Sequence, residues 1–329
     1  MCEADFTFAV MTYNQADTVV QTLESIRYQV MHYGKKIKTR LIITEDCSRD
    51  DTLIRCKEWI KEHGDLFCKC VLINNDQNRG TVYNYLQILN LIDEEPFKLI
   101  AGDDLFCFST NLYNEYDNLN TRKLRIGIPL YIENNKVTYS RSRVIDNLYY
   151  SHKKMSRTYA LNMVMRGRFF NTPSVLYSKE IVEESNARDL LKEFRLFEDD
   201  PTWFSIIKNV NKFELEFTSS TYVLYRVSNV SVSNNTMSEN PFFMELNKLH
   251  KKYKKEANWF TKLLIYFQDS TLPKFLRFDL YYKKVREAYR KAIVQIKYYN
   301  EYNSLIKKIE CLTASEQKQI DKMRSLVNI

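Results

Sequence analysis

The sequence predicts an α/β protein in which a mainly parallel central sheet is flanked by helices and followed by a helical C-terminal extension. Short apolar, β-prone runs alternate with segments of helical spacing over about the first hundred residues. A polar cluster follows each of these runs, and after Pro241 the apolar residues recur mainly at helical spacing. Alternating strands and helices form right-handed crossover units, which build parallel sheets.

Each element of the first half follows from its own pattern. The predicted strands are short runs of mainly apolar residues: Phe6–Met11, Arg40–Thr44, Lys69–Ile73 and Lys98–Ala101. The predicted helices have apolar residues three and four positions apart: Val19 to Val30, Asp50 or Asp51 through about His63, and a third from Thr81.

The rest of the chain divides into two parts. Residues 125 to 235 show shorter β-like runs, namely Ile126–Ile132, Lys136–Ser140, Ser174–Tyr177 and Tyr222–Val227. The C-terminal part carries an apolar stripe at helical spacing: Tyr282, Val285, Tyr289, Ala292, Ile296, Tyr299 and Ile306. We therefore predict an α/β domain over residues 1–240 and a basic, mainly helical region over residues 241–329.

Composition excludes several classes of protein. Only 6 glycines occur in 329 residues, and neither GxGxxG nor GxxxxGK[ST] is present, which argues against the Gly-rich nucleotide-binding loops. Seven cysteines, an odd number, without an evident targeting segment indicate reduced thiols and a cytoplasmic protein. No apolar run approaches the roughly 20 residues of a membrane span. None of the histidines, His32, His63, His152 and His250, is paired at ligand spacing, and none is assigned a role.

The positive charge lies in the C-terminal region. Residues 241–329 hold 19 Lys and Arg against 9 Asp and Glu, a net charge of +10, whereas residues 1–240 hold 30 against 32. A cationic region on a nearly neutral body predicts an anionic surface as its partner, either a membrane or a nucleic acid. The apolar stripe has two readings: it packs on the body or a partner helix, or it lies on anionic lipid.

Two acidic clusters are the candidate catalytic residues. Gly102-Asp103-Asp104 follows an apolar strand, and Glu198-Asp199-Asp200-Pro201 lies about a hundred residues later. Carboxylates at the end of a buried strand need compensation, which a divalent cation with oxygen ligands supplies. A distant carboxylate can serve as a general base. The combination predicts group transfer from a phosphate-bearing donor, although either cluster can also be a turn or a helix cap.

Five motifs in this order resemble those of family 2 nucleotide-sugar glycosyltransferases. They cover about residues 5–235 and comprise Thr12-Tyr13-Asn14, Thr44 to Thr52 (TEDCSRDDT), Asn78-Arg79-Gly80, Gly102-Asp103-Asp104 and Glu198 to Trp203 (EDDPTW). The second is similar to the family's DDGSTDDT segment, the fourth to its DxD-type metal motif and the last to its ED-x-P-x-W base motif. Glu45, Cys47 and Gly102 depart from the usual pattern. The resemblance implies the GT-A fold, with a nucleotide-binding and an acceptor-binding half.

The resemblance also implies roles for single residues. Asp199, or alternatively Asp200, would be the general base of inverting transfer. Asp104 would ligate Mn²⁺ or Mg²⁺ at the donor diphosphate, and Asp103 would face the ribose or the metal. The nucleotide pocket would be formed by Thr12 and Asn14, with Asp46 accepting a hydrogen bond from the base. Three arginines are candidate diphosphate contacts: Arg166, Arg168 and Arg226.

The sequence thus predicts an inverting, metal-dependent hexosyltransferase that uses a nucleoside diphosphate sugar, with UDP as the expected nucleotide. The expected acceptor is a growing, lipid-linked saccharide of cell-surface polysaccharide synthesis, such as a capsule. The enzyme would then be cytoplasmic and peripheral on the inner face of the membrane. The alternatives are a non-catalytic GT-A-like scaffold of an assembly complex and a nucleotidyltransferase.

Overall fold

A four-stranded parallel sheet forms the centre of the N-terminal half. The computed structural model describes residues 3–34, 36–119, 122–166, 172–227, 241–270 and 272–327. Its first sheet has the order β3-β2-β1-β4 and consists of β1 (Phe6–Thr12), β2 (Thr39–Glu45), β3 (Lys69–Asn74) and β4 (Phe97–Ala101). The four strands predicted for this half are therefore confirmed.

Helices cover both faces of this sheet. The crossover helices are α1 (Val19–Tyr33), α2 (Thr52–His63) and α3 (Thr81–Leu91). Phe6, Phe8 and Val10 of β1 point to the core beneath α1 and α2. Ala9 points to the opposite core, which α3 helps to form. Successive strand residues face opposite sides, so burial of both sets of side chains fixes a doubly covered sheet.

The middle of the chain forms two smaller sheets and their connecting helices. The elements are β5 (Leu105–Phe106), α4 (Leu112–Asp117), β6 (Lys123–Ile126), β7 (Leu130–Glu133), β8 (Lys136–Tyr139), α5 (Arg141–Ser151), α6 (Arg157–Val164), β9 (Val175–Leu176), α7 (Lys179–Glu184), α8 (Ala187–Leu191), α9 (Asp199–Asn209), β10 (Glu214–Phe217) and β11 (Val223–Arg226). The sheet orders are β10-β6-β9 and β5-β11-β7-β8. A bridge between Phe97 and Tyr177 joins β4 to the segment after β9.

One predicted strand, Ile126–Ile132, is wrong as a single element. The chain leaves the β6 sheet at Gly127, whose N–H donates to Ser174 O at 2.8 Å, and the next N–H, of Ile128, donates to Ser220 O at 2.8 Å. A Cβ on Gly127 would lie 2.7 Å from both Ser220 O and the Tyr222 ring. This crossing between two sheets depends on residues far away in the sequence, so the local pattern does not reveal it.

The C-terminal region is helical, as predicted. It comprises α10 (Pro241–Tyr253), α11 (Trp259–Gln268), α12 (Phe278–Lys297) and α13 (Tyr299–Val327). Leu305, Ile309 and Ile320 of α13 share a core with Leu130 and the other apolar residues of β7 and β8. The predicted boundary at residue 240 lies outside the described residues. In the part of the chain that is described, no helix is long and apolar enough to span a membrane.

Most of the predicted C-terminal stripe does not pack on the body. On α12, Val285 is 65% exposed and Ile296 is 79% exposed. The helix contacts the body through its other side, where Arg290 and Val294 are buried. The prediction that this stripe packs on the body or on a partner helix is therefore wrong for Val285 and Ile296, which face outward, whereas Tyr282 contacts Arg166 and Tyr289 lies 6.5 Å from the Tyr149 ring.

Candidate active site

The polar residues that follow β1, β2, β3 and β4 lie together, as the sequence indicated. Backbone hydrogen bonds continue past the strand ends: Asp46 N donates to Thr12 O at 3.0 Å, and Asn75 N donates to Glu45 O at 2.9 Å. Gly102 N donates to Met11 O at 2.9 Å. The carboxyl edge of a parallel sheet is where such folds bind ligands, so these residues line a candidate site.

Thr12 and Asn14 shape the part of this edge next to β1. Thr12 is buried, and its hydroxyl has no hydrogen-bond partner among the described residues. Asn14 has a left-handed backbone, with φ of 52°. Its side-chain oxygen accepts from Arg49 N at 2.9 Å, and its N–H donates to Ser48 Oγ at 2.8 Å. Asn14 therefore holds the loop after β2 in place, and the Thr12 hydroxyl lies buried beneath this edge of the sheet.

Asp46 is committed to the loop that follows β3. One carboxylate oxygen accepts from Asn75 Nδ2 and Arg79 N, both at 2.8 Å, and the other accepts from Gly80 N at 2.8 Å. Gly80 has φ of 89°, a left-handed conformation that glycine adopts without strain, and α3 begins at the next residue. The buried Asp46 thus fixes the turn into α3, a role that its position in the sequence did not reveal.

Asp103 and Asp104 lie directly after β4. Asp104 is buried and accepts from Arg226 N at 2.8 Å, whereas Asp103 is only half-buried. The Arg226 side chain donates through Nε to Asp103 O at 2.8 Å and through a terminal nitrogen to Gln21 Oε1 at 2.9 Å. Burial raises the pKa of Asp103. Burial and the charge of Asp103 raise the pKa of Asp104 well above its usual range.

The oxygen donors of this pair fit a divalent cation. Two carboxylates with raised pKa values gain from a nearby positive charge, and hard cations such as Mg²⁺ and Mn²⁺ prefer oxygen ligands. Among the described residues, no group of three or more His, Cys, Asp and Glu side chains is arranged to hold a metal. A cation here would therefore need further oxygen ligands, which a donor diphosphate could supply.

Asp199 and Asp200 occupy the first turn of α9, where both are half-buried. Burial, followed by the charges of Glu198 and Asp200, raises the pKa of Asp199 well above its usual range, and a hydrogen bond from Thr172 lowers it in part. Burial raises the pKa of Asp200 to about 7. Raised pKa values make both carboxylates stronger bases than a solvated aspartate.

A buried lysine that the motifs do not include connects the two acidic clusters. Lys98 of β4 is fully buried, and its ammonium donates to Leu99 O at 2.6 Å and to Pro173 O. Burial lowers its pKa to about 8, and the charges of Asp104 and Asp199 oppose this shift. One ammonium therefore acts on a carboxylate of each cluster. The signal in the sequence was a single lysine within an apolar strand.

A second residue outside the motifs is His250 of α10. It is buried, its Nδ1 lies 3.0 Å from Asp269 Oδ1, and its Nε2 has no partner among the described residues. The charge of His250 lowers the pKa of Asp200. The C-terminal helices thus contribute to the electrostatics of the base motif, which local sequence could not show.

The three arginines have different positions. Arg226 lies against the Asp103 backbone, as described. Arg166 is used elsewhere, since its Nε donates to Thr261 Oγ1 at 3.1 Å and its guanidinium lies 5.6 Å from the Phe260 ring centre. Arg168 lies outside the described residues.

Solved structures of other proteins share this fold. The structure of S. aureus TarS residues 1–349 in complex with UDP-GlcNAc has 14% identity and a TM-score of 0.54, covering 89% of this chain and 76% of that one. The longer S. aureus TarS structure has 13% identity and a TM-score of 0.51, covering 89% and 45%. No curated protein matches the sequence significantly. The family described as Glycosyl transferase family 2 matches residues 7–184, more than half of the chain. The fold is therefore of the GT-A type, and the chain belongs to glycosyltransferase family 2.

Proposed function

We propose that this glycosyltransferase moves a hexose, with inversion, from a nucleoside diphosphate sugar to a saccharide acceptor in a metal-dependent reaction. The observation that supports this most directly is the position of the two acidic clusters. The buried Lys98 ammonium donates to Pro173 O, next to Thr172, which hydrogen-bonds to Asp199. Its charge lowers the pKa values of both Asp104 and Asp199, although about a hundred residues separate these two carboxylates in the sequence. A metal-binding pair and a nearby base are what such a transfer needs.

Asp103 and Asp104 would hold Mn²⁺ or Mg²⁺ in this proposal. When bound, the cation offsets the negative charge that grows on the leaving diphosphate. Asp104 accepts from Arg226 N through one carboxylate oxygen and would ligate the cation through the other. Asp103 is the more accessible carboxylate and would face the ribose or the metal. The Arg226 guanidinium adds positive charge beside the phosphates.

Asp199 would act as the general base, with Asp200 as the alternative. It accepts the proton of the acceptor hydroxyl while the hydroxyl oxygen forms a bond to the anomeric carbon and the bond from that carbon to the diphosphate breaks. A base on the face opposite the leaving group gives inversion. The charges of Lys98 and of His250 lower the pKa values of Asp199 and Asp200, respectively, and so favour the ionised pair.

The donor nucleotide would lie along the carboxyl edge of the first sheet. Thr12 would line the pocket, since its hydroxyl is buried at the edge of β1 and has no partner among the described residues. Asn14 and Asp46 would shape the pocket through the loops that they hold, and Asp46 can accept one more hydrogen bond from the base. UDP is the proposed nucleotide, and the TarS structure that shares the fold was determined with UDP-GlcNAc.

The proposed acceptor is a growing, lipid-linked saccharide in cell-surface polysaccharide synthesis. Its support is the net charge of +10 in residues 241–329, which suits an anionic membrane surface. In this proposal the enzyme is cytoplasmic and peripheral on the inner face of the cell membrane.

The substitution Asp199→Asn tests the catalytic role. It removes the base at nearly constant volume, so we expect turnover to fall by about 10²–10⁴-fold while calorimetric UDP binding persists. Asp189→Asn is the matched control, because that side chain is 82% exposed and pairs only with the exposed Lys192 in the described structure. Unchanged turnover in Asp199→Asn and loss in Asp200→Asn would move the base to Asp200. Unchanged turnover in both would contradict the proposal.

A further inference from the structure

Building on the membrane association of the proposed function, we propose that an outward aromatic face formed by α11, the Phe275-Leu276 segment and α12 binds the surface of an anionic lipid bilayer. The large exposed side chains of this outward aromatic face are Trp259, Leu263, Tyr266, Phe275, Leu276, Phe278, Tyr281, Val285, Tyr289 and Ile296. Trp259 is 76% exposed, Phe275 is 69% exposed and Tyr289 is 57% exposed. Single exposed apolar residues are ordinary, but a contiguous set of this size marks an interaction site.

Ring contacts show that the face is continuous from α11 to α12. The partly buried Phe260 ring lies 5.5 Å from the Trp259 ring and 6.3 Å from the Phe278 ring, measured between centroids. Phe267 lies 5.6 Å from Tyr266 and 5.9 Å from Phe278. The exposed rings therefore stand on a shared aromatic base and form one surface.

The orientation of α12 is opposite to that of an ordinary surface helix. Tyr281, Val285 and Tyr289 follow one another at four-residue intervals and lie on its outward side. The inward side is polar in part, since the buried Arg290 pairs with Asp146 of α5 at 2.5 Å. A soluble helix normally turns its apolar side to the core. Here the body holds the polar side and leaves the apolar side for a partner.

Charge identifies the partner as anionic lipid. Lys284 and Lys291 are exposed on α12, one and two positions from the outward stripe, in a region of net charge +10. Basic residues beside an exposed apolar and aromatic stripe are typical of helices that lie in a bilayer interface. Each lysine near an anionic membrane surface strengthens binding about fivefold.

Other occupants fit this face less well. A symmetric contact with a second copy would place the lysines of both copies together, which like-charge repulsion disfavours. Nucleic acid would satisfy the charges but would leave Val285 and Ile296 against phosphates and sugars. The headgroup and acyl boundary of a bilayer accommodates both the apolar and the basic side chains.

Vesicle flotation of the full-length protein tests the proposal without any sugar substrate. We expect binding to vesicles of phosphatidylcholine mixed with phosphatidylglycerol, and at least tenfold weaker binding to phosphatidylcholine alone. The triple variant Trp259→Ser, Phe275→Ser, Val285→Ser should lose binding to both by more than tenfold. The double variant Lys284→Glu, Lys291→Glu should bind anionic vesicles more weakly, and that binding should be less sensitive to salt. Its binding to neutral vesicles should be unchanged.

The matched control is Ile54→Ser on α2. It removes an apolar side chain that is 54% exposed and does not belong to the outward aromatic face. It should bind vesicles like the parent protein, and all variants should keep the parent circular dichroism. Equal binding to neutral and anionic vesicles, or unchanged binding by the triple variant, would overturn the proposal. So would a dimer in light scattering that the triple variant abolishes, or binding to DNA without binding to vesicles.

Discussion

Replacing Asp46 by asparagine tests whether this residue holds the loop between β3 and α3. Its carboxylate accepts three hydrogen bonds, from Asn75 Nδ2 and from the N–H groups of Arg79 and Gly80. Asparagine keeps one acceptor oxygen, so a buried N–H group loses its partner at a cost of about 1–3 kcal/mol. The hydrogen bonds that remain lose charge assistance, about 1 kcal/mol each. We expect the free energy of unfolding to fall by ~4 kcal/mol.

Urea unfolding followed by tryptophan fluorescence measures this loss in the absence of any ligand. Asp76→Asn is the control, because its carboxylate lies in the same loop but is 78% exposed and, among the described residues, pairs only with Arg79. An exposed pair of this kind contributes about 1 kcal/mol or less. If Asp46→Asn unfolds within 1 kcal/mol of the control, the structural role of Asp46 is refuted, whether or not the variant still binds UDP.

Two further substitutions test the electrostatics around the carboxylates. The first compares the free energy of unfolding of Lys98→Met with that of the parent across pH. The pKa of Lys98 is about 8 in the folded protein and 10.5 ordinarily, so the unfolded chain binds more protons between these two pH values. The parent should therefore gain ~3 kcal/mol of unfolding free energy over the variant from pH 8 to 10.5, and a constant difference would contradict the assignment. His250→Gln removes the charge that lowers the pKa of Asp200, so Asp200 stays protonated to higher pH. The Asp200 charge raises the pKa of Asp199, so a neutral Asp200 lowers it, and the acid limb of the profile of turnover against pH should move to lower pH. A shift of this limb to higher pH would indicate that Asp200 is the base. No shift would refute the coupling between His250 and the two carboxylates.

Much of the first half of the fold follows from local sequence. The strands from Phe6 to Ala101 are short apolar runs, and polar residues begin where each strand reaches the edge of the sheet. Parallel topology then places these ends together, which is why the sequence alone predicts that Thr12, Asp46 and Asp103 are neighbours. The C-terminal helices are also clear from the sequence, since their apolar residues recur at helical spacing.

The parts that sequence did not predict depend on long-range contacts. The break at Gly127 comes from Ser174 and Ser220, which lie more than forty residues away. His250 gains its role from Asp269 and Asp200, on other helices. The stripe on α12 has the spacing of a core helix, and only the burial of Arg290 shows that the polar side faces the body. Periodicity identifies a face but not its partner.

Metal-dependent sugar transfer by the Asp103-Asp104 pair and the Asp199 base is the reaction proposed for this enzyme. Its most direct test measures nucleotide release by the purified protein from UDP-, GDP- and dTDP-sugars with Mn²⁺, with and without EDTA. We expect slow release of UDP from one donor, abolished by EDTA and by Asp103→Asn but retained in Asp76→Asn. No release from any donor, together with no Mn²⁺-dependent UDP binding in calorimetry, would contradict it.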